Sequence, residues 1–450
     1  MKKVSIIGSG LVGSLWAIFL AQRGYKVRVY EKRPDMRKQH IGGGRSINLA
    51  MSDRGLKALH TVGLEEEIRR MAIPMHGRMI HHLDGRTELQ PYGEKGQYIN
   101  SISRSGLNQL LMTKAEEAGA VIEFEQPCHG YDTVKKEAIL ENGFTTSDLI
   151  FGADGAFSSI RSSLEKTDRF NYSQNYLEHG YKELHIPPNE DGSFKMFKNA
   201  LHIWPRKSFM LIALPNLDGS FTVTLFLAFE GELSFGNLTD EQSVIDFFKK
   251  HFPDVVPLMP DLTDVFFANP TSSLATFRCY PWSFDNKVLL IGDAAHGIVP
   301  FYGQGMNAGF EDCTILNKMM DEFNDEWEKI IPAFQKSRKP DADAIAELAL
   351  RNFIEMRDLV ADLKFVLRKK IEKLMHERHP DKFTPLYAMV TFSDMPYSKA
   401  LELGKKHDAL FEKVGKLEGI EEMLQTKEGE MLLDKWVLEL QQATGNSPTS

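Results

Sequence analysis

VSIIGSGLVGSLWAIFLAQRGYKVRVYE, residues 4–31, joins a short apolar run, a glycine-rich turn, a helix-length apolar stretch and a second run ending on an acid. The periodicity predicts a strand at 4–7, a helix at 11–23 stopped by Gly24, and a strand at 27–30, which is a βαβ opening. Gly8, Gly10 and Gly13 stand at dinucleotide-binding spacing. Glycines there permit a tight turn, close approach of a pyrophosphate to the backbone, and contact between helix and strand. Glu31 closes the second strand, where a carboxylate can bind ribose hydroxyls. The motif by itself does not separate FAD from NAD.

A second informative stretch is residues 292–312, GDAAHGIVPFYGQGMNAGFED. The apolar run 288–291 feeds Gly292-Asp293, so an acid sits where a buried strand leaves its sheet. Gly303-Gln304-Gly305 then opens a helix-like segment from Met306 to about Met320. Free N–H groups and the dipole at such a helix start favour an anion or an electron-rich oxygen. A carboxylate for ribityl-type hydroxyls and a positive helix end for a reduced ring suit a flavin. An ordinary strand–loop–helix connection has the same appearance. Asp154-Gly155-Ala-Phe-Ser158-Ser-Ile-Arg161 is a further strand exit, able to hold a phosphate region or simply to form an Asp-Gly turn capping a helix. Arg104, within residues 101–107, is likewise either a cofactor contact or a surface cation.

Composition bounds the partners. The chain has 450 residues, enough for two or three domains, with 42% hydrophobic and 26% charged residues as in globular proteins. A net charge of -8 argues against nucleic acid as the main partner. Three cysteines lack metal-ligand spacing, so no metal site is expected, and their odd number argues against a disulfide framework and for a reducing compartment. Met1-Lys-Lys before an apolar run mimics a secretory signal, but the glycines interrupt it and no cleavage site follows. No apolar span approaches the roughly 20 residues of a membrane helix.

Along the chain, further α/β elements are expected at 101–118 (helix), 121–124 and 148–152 (strands). Strand-like runs at 200–204, 209–214 and 221–229 follow, the last two joined by a hairpin whose turn carries Asp218-Gly219. A helical pattern is expected from Pro340 to about His376, with Ile345, Leu348, Leu359, Leu363 and Val366 spaced for burial. Pro380, Pro385 and Pro396 break it before a last charged helical stretch, about 397–440. The fold class is therefore α/β. The division expected is a first dinucleotide-binding part at 1–180 with a substrate-side insert at about 70–100, an antiparallel-sheet substrate domain at 181–280, the return at 281–339, and a C-terminal helical region at 340–450 covering the active site.

In their order and separations, the three glycine-acid motifs resemble the FAD-binding aromatic hydroxylases, the single-component flavoprotein monooxygenases of the p-hydroxybenzoate hydroxylase type. The likeness implies a Rossmann-type FAD-binding domain with an inserted antiparallel-sheet domain and a C-terminal helical region. Residues 44–50 (GRSINLA), 77–79 (GRM), 89–93 (LQPYG), 179–184 (HGYKEL), 201–205 (LHIWP) and 213–218 (ALPNLD) are similar to the kynurenine 3-monooxygenase family. So are 221–226 (FTVTLF), 300–307 (PFYGQGMN), 352–356 (NFIEM) and 389–393 (MVTFS), while the closing 50 or so residues match poorly.

The resemblance implies noncovalent FAD, NADPH as co-substrate with no fold of its own, and O2. Oxygen adds to the reduced flavin at C4a and the hydroperoxide hydroxylates L-kynurenine beside its ring amine, in the kynurenine pathway of tryptophan catabolism and NAD biosynthesis. It assigns Gly8, Gly10, Val12, Gly13, Glu31, Arg33, Ala50, Arg104, Asp154, Asp293, Gly305, Met306 and Asn307 to FAD. Arg78, which suits a carboxylate bidentately, Tyr92, Asn352, Glu355, Met356 and Tyr387 are assigned to the amino-acid end of the substrate. Met210, Ile212, Leu214, Thr224 and Phe226 are assigned to its ring, and Pro300, Phe301 and Gln304 to the border with flavin and oxygen. Helical spacing puts Asn352, Glu355 and Met356 on one face.

Eukaryotic members continue into a hydrophobic C-terminal membrane anchor that this chain lacks, so a soluble, cytoplasmic, bacterial form without a membrane partner is expected. Oligomeric state is not readable. The rivals are a same-fold hydroxylase acting on another anthranilate-like or phenolic acid, and a non-catalytic flavin-binding redox sensor. A flavin-dependent halogenase is weaker, because no W-x-W-x-I-P segment occurs.

Overall fold

The structure, a computed structural model, describes residues 2–38, 48–93, 96–145, 147–359, 362–417 and 419–443. Residues 44–47 of the 44–50 block lie outside them. A six-stranded sheet runs in the order Ser283–Phe284, Val288–Leu290, Leu149–Gly152, Lys3–Ile7, Lys26–Tyr30, Val121–Glu123. Its pairs are parallel except the outermost, Ser283–Phe284 against Val288–Leu290. Val4 to Ile7 are all buried, as a strand covered by helices on both faces requires. The helix Leu11–Gln22 buries nine of its residues against this sheet. The packing is close: a Cβ on Gly13 would come within 2.0 Å of the Gly8 carbonyl oxygen.

The second large sheet has seven strands, ordered Ser272–Tyr280, Asn171–Ile186, Phe221–Ala228, Met210–Pro215, Leu201–Pro205, Gly77–His81, Thr87–Pro91. Alternation divides its side chains. Leu211, Ala213, Val223 and Leu225 face a core shared with the helices Glu241–His251 and Leu262–Ala268. Met210, Leu214 and Phe226 face the opposite way, into a core shared with the C-terminal helices. The sheet is thus a wall between its own helices and a central cavity.

Several elements differ from expectation. The stretch expected as one helix at 101–118 is split: Ile99–Ser103 is a strand, and Arg104–Glu117 is the helix. Ser103 makes the switch, its hydroxyl accepting the Gly106 N–H at 3.2 Å. The helix expected from Pro340 begins at Trp327 and runs to Ile354 through Pro332 and Pro340. Each proline removes a hydrogen bond, but the helix is buried on both sides of Pro340, by Ile330, Ile331 and Phe334 in one core and Ile345, Leu348 and Ala349 in another. One helix therefore spans the 339/340 division, and the strand Asn171–Ile186 spans 180/181. The helix ends in a π-helical turn, Glu355–Leu359, and Leu363–Arg378 starts afresh under an Asp362 cap. Val366 is 37% exposed and so does not join the core, while the side chains of Leu359 and Leu363 lie outside the description. Between Pro385 and Pro396 the chain forms a short helix, Leu386–Thr391, that the proline-rich sequence conceals. Among the described residues, no helix is long and apolar enough to cross a membrane.

Candidate active site

One cavity runs between the parallel sheet, the seven-stranded sheet and the C-terminal helices. Of the residues expected to hold the cofactor, Gly10, Val12, Ala50, Arg104, Asp293, Gly305 and Met306 line it. Of those expected at the substrate, Arg78, Tyr92, Met210, Ile212, Leu214, Thr224, Phe226, Met356 and Tyr387 line it too, with Pro300 and Phe301.

The cofactor side has the free space and free donors of a dinucleotide cradle. A Cβ on Gly10 or Gly155, both lining the cavity, would meet nothing within 4 Å. Asp293 begins a helical turn directly after Gly292, which sits at φ +58 and turns the strand exit toward the cavity. The helix Gly305–Glu322 points its start at the cavity, and Ala308 is the first residue whose N–H is taken, by the Gln304 carbonyl at 2.8 Å. That leaves the N–H groups of Gly305, Met306 and Asn307 without partners inside the helix. Glu31 is buried and accepts the Ser9 N–H at 2.8 Å and the Arg33 side chain at 2.8 Å. Burial would raise its pKa, but Arg33 and the Ser9 amide outweigh that and hold it below the usual carboxylate range, as an ionised acceptor. These groups fit FAD: a carboxylate at each of two strand exits, open glycine backbone, and a positive helix end.

Other expected cofactor residues support the cradle from behind. Gly8, at φ +98, makes the turn, and Gly13, inside the helix, packs on its carbonyl. Asn307 is fully buried and donates to the Ala50 and Gly303 carbonyls at 2.9 and 2.7 Å, so its side chain ties the cavity wall together. Asp154 accepts the Ser159 N–H at 2.7 Å and caps the following helix, with its second oxygen buried and free of any described partner. Arg161 of the same motif donates to the Ala156 and Ala294 carbonyls and staples two strand exits together.

At the other end of the cavity the Arg78 guanidinium is 9% exposed and lies 3.3 Å from Glu355. It sits 5.0 Å from the Tyr387 ring centroid and 5.8 Å from that of Tyr92. Burial would lower its pKa, but Glu355 and the two tyrosines raise it further, so the cation persists. Its Nε is buried and no described residue accepts from it. Tyr92 stacks on Tyr387 at 5.2 Å, and Tyr387 on Tyr302 at 5.5 Å. Burial holds all three hydroxyls above the ordinary phenol range, hence protonated. Farther across the same sheet the cavity face is apolar: Met210, Ile212, Leu214 and Phe226, with Phe226 against Phe301 at 4.9 Å. Thr224 interrupts it with a buried hydroxyl that no described group partners.

Of the residues expected at the cofactor, Gly8, Gly13, Glu31, Arg33, Asp154 and Asn307 do not line the cavity, and three expected at the substrate or oxygen do not line it either. Asn352 is buried, donating to the Phe301 carbonyl at 2.6 Å and to the Met356 sulfur at 3.2 Å, so it braces the wall. Glu355 reaches the site through Arg78. Gln304, expected at the oxygen side, is 1% exposed and accepts the Tyr397 hydroxyl at 2.9 Å. Tyr302, Tyr181, Ile99 and Leu201 line the cavity unannounced by the sequence reading. Tyr181 could have been found once strands were paired, because it stands opposite Phe226. Tyr302 could not, since nothing in Pro300-Phe-Tyr shows that both rings face inward.

Asp293→Ala removes the carboxylate at the strand exit. FAD should dissociate at least tenfold more readily, a loss of about 1.5–3 kcal/mol for a hydrogen bond to a charged group. Fluorescence titration of the flavin-stripped protein checks this, and unchanged affinity would remove Asp293 from the site.

The FAD binding domain family matches residues 1–349. A kynurenine 3-monooxygenase of Flavobacterium johnsoniae is 53% identical over 436 residues, covering 95% of this chain and 97% of its own. One of Sus scrofa is 46% identical over 413 residues, covering 88% and 85%. Among solved structures, 2-methyl-3-hydroxypyridine-5-carboxylic acid oxygenase superposes with a TM-score of 0.67 at 19% identity, over 83% of this chain and 97% of that one. Pseudomonas aeruginosa PqsL superposes with 0.66 at 18%, over 80% and 97%. At these identities the two structures speak for the fold alone. With nearly full-length matches at about half identity, the chain belongs to the kynurenine 3-monooxygenase family of FAD-dependent monooxygenases.

Proposed function

We propose that this protein hydroxylates L-kynurenine to 3-hydroxy-L-kynurenine with NADPH and O2, in tryptophan degradation. The observation that carries the reading is the polarity of one cavity. A buried guanidinium with a free donor stands at one end, and an apolar, ring-sized wall broken by a single hydroxyl stands at the other. Register puts Arg78 and Thr224 three strands apart and two residues along. That is roughly 14 Å across the sheet between backbones, with Arg78 and Thr224 on the same, cavity-facing side of the sheet. The names of the nearly full-length relatives point to the same substrate.

FAD, bound along the glycine turn and the helix start at Gly305, supplies hydride acceptance from NADPH and activation of O2. The protein's own groups bind and orient. Arg78 takes the substrate carboxylate in a two-pronged contact. Glu355, released from Arg78, takes the ammonium. The Tyr92–Tyr387–Tyr302 stack closes that end and excludes water. The ring end, lined by Met210, Ile212, Leu214, Thr224 and Phe226, holds no group of ordinary acid–base range. None is needed there, because the ring amine of kynurenine itself donates electrons into the carbon beside it. All three cysteines are free thiols, which supports a reducing, cytoplasmic setting.

Mass spectrometry of the product from L-kynurenine, NADPH and O2 tests the assignment. Gain of one oxygen at the position beside the ring amine is expected. NADPH oxidation driven equally well by other anthranilate-like or phenolic acids would move the assignment to them, and absence of turnover would leave a flavin-binding sensor.

Thr224→Val keeps the shape of the side chain and deletes its hydroxyl. The KM for kynurenine should rise about tenfold, as for one lost hydrogen bond of about 1–1.5 kcal/mol, while binding of the analogue lacking the ring amine should hardly change. Equal effects on both compounds would make Thr224 a packing residue.

A further inference from the structure

Tyr397 begins the helix Tyr397–Val414 in the C-terminal region, yet its side chain is 0% exposed. Its hydroxyl donates to Gln304 Oε1 at 2.9 Å, across a sequence separation of 93 residues. Gln304 occupies a joint. Before it, the turn Pro300–Tyr302 forms cavity wall, and Gly303 adopts φ +66 against Ala50. After it, Gly305 starts the helix whose free N–H groups face the cofactor cradle. No side chain caps that helix, so the Gln304 side chain is held by Tyr397 and not by its own helix.

Tyr397 is itself held. The Arg54 guanidinium lies 4.1 Å from its ring centroid. Arg54 also donates to the Val390 carbonyl at 2.9 Å and to the Met395 carbonyl, and pairs with Glu311 of the helix Gly305–Glu322. Those carbonyls belong to the end of the Leu386–Thr391 helix, which carries Tyr387 against Arg78, and to the connection into Tyr397. A continuous set of directed contacts therefore links the segment over the substrate end to the helix start on the cofactor side.

We propose that Tyr397 is a positioning residue: through its bond to Gln304 the C-terminal region sets the turn at Gly303–Gly305, with Arg54 fixing Tyr397 in place. The inference rests on the cavity being the FAD and kynurenine site. It makes the C-terminal helices part of the cofactor site as well as a cover for the substrate, and it gives Gln304 a role through Tyr397 in place of direct contact with oxygen.

Tyr397→Phe in the full-length, FAD-loaded protein keeps the ring, its burial and the Arg54 contact, and removes one hydrogen bond. FAD content and the KM for L-kynurenine should stay within twofold of the parent. The visible absorption and circular dichroism bands of bound flavin should shift, and hydrogen peroxide released per NADPH consumed should rise at least threefold. Gln304→Leu, which removes the acceptor at similar volume, should behave alike, and the double variant should be no worse than the poorer single one. Unchanged flavin spectra and peroxide yield in Tyr397→Phe overturn the proposal. So does a Gln304→Leu effect that Tyr397→Phe does not share, because Gln304 would then act directly, or additive effects in the pair. The flavin spectra need no substrate, so a parent protein that fails to hydroxylate kynurenine counts against the assigned function and leaves the positioning test standing.

Discussion

Arg78→Met raises the KM for L-kynurenine roughly 30-fold or more and leaves FAD content as it was. The guanidinium is buried against two stacked tyrosine rings with a free Nε, so the partner it binds is desolvated on the same terms. Losing one member of a buried, hydrogen-bonded charge pair costs about 2–5 kcal/mol, which is a factor of about 30 or more. The variant also strands Glu355, whose only described ion-pair partner in the cavity is Arg78 at 3.3 Å. A substrate ammonium meets that carboxylate more favourably than before, which trims the loss without restoring the carboxylate contact. Steady-state kinetics with flavin quantified by absorbance settles the matter. A KM within threefold of the parent would show that the carboxylate is held elsewhere.

Arg338→Met has the largest expected effect on stability. Arg338 is 1% exposed and binds Asp312 at 2.9 Å, Glu311 at 2.9 Å and the Ala308 carbonyl at 3.2 Å, with Asp341 at 3.4 Å. Asp312 in turn accepts the Gly292 N–H at 3.0 Å and meets His296 at 2.6 Å, so the cluster anchors the strand exit that carries Asp293. Removing the cation leaves buried carboxylates short of their strongest shared partner, at about 3–5 kcal/mol, or an apparent Tm lower by roughly 3–5 °C in a chain of this length.

The same cluster dictates a pH dependence. Burial alone would raise the pKa of Asp312, but His296 and Arg338 outweigh it and hold it below its ordinary value. A depressed folded-state pKa contributes stability above the unfolded value near 4, and that contribution is lost as pH falls through the folded value. Without Arg338, His296 and the Gly292 amide still oppose burial but the depression is smaller, so this contribution to stability is smaller and is fully lost at a higher pH than in the parent. Melting curves from pH 7 down to 3 check both points. A Tm change under 2 °C with superimposable acid limbs would mean that the cluster relaxes around the gap.

Much of the molecule is legible in local pattern. The glycine turn after Lys3–Ile7 and the acid after Lys26–Tyr30 belong to a strand–turn–helix whose spacing is set by backbone geometry alone, so residues 4–31 suffice to read it. Strand alternation likewise places Met210, Leu214 and Phe226 on one face without any knowledge of what covers them. Two kinds of feature escape. The helix Trp327–Ile354 carries prolines that local propensity reads as breaks, because their tolerance comes from burial against two cores that are distant in sequence. The short helix Leu386–Thr391 escapes for the same reason, its stability coming from packing of Met389 and Val390.

The site divides along the same line. Residue types at fixed spacing announce a carboxylate at the strand exit, Asp293, and a helix start at Gly305, since each depends on its own neighbours in the chain, whereas Arg78 is announced only by the family resemblance of its block. Partnership is another matter. That Gln304 turns to Tyr397 and not to the cavity, that Asn352 braces the Phe301 carbonyl, and that Tyr302 completes a stack with Tyr387 and Tyr92 are decided between segments 51 to 295 residues apart. A side chain's periodicity says which face of its element it occupies. Which polar group it then satisfies depends on what the fold delivers to that face, because a buried donor or acceptor goes to whichever partner removes the cost of leaving it unpaired.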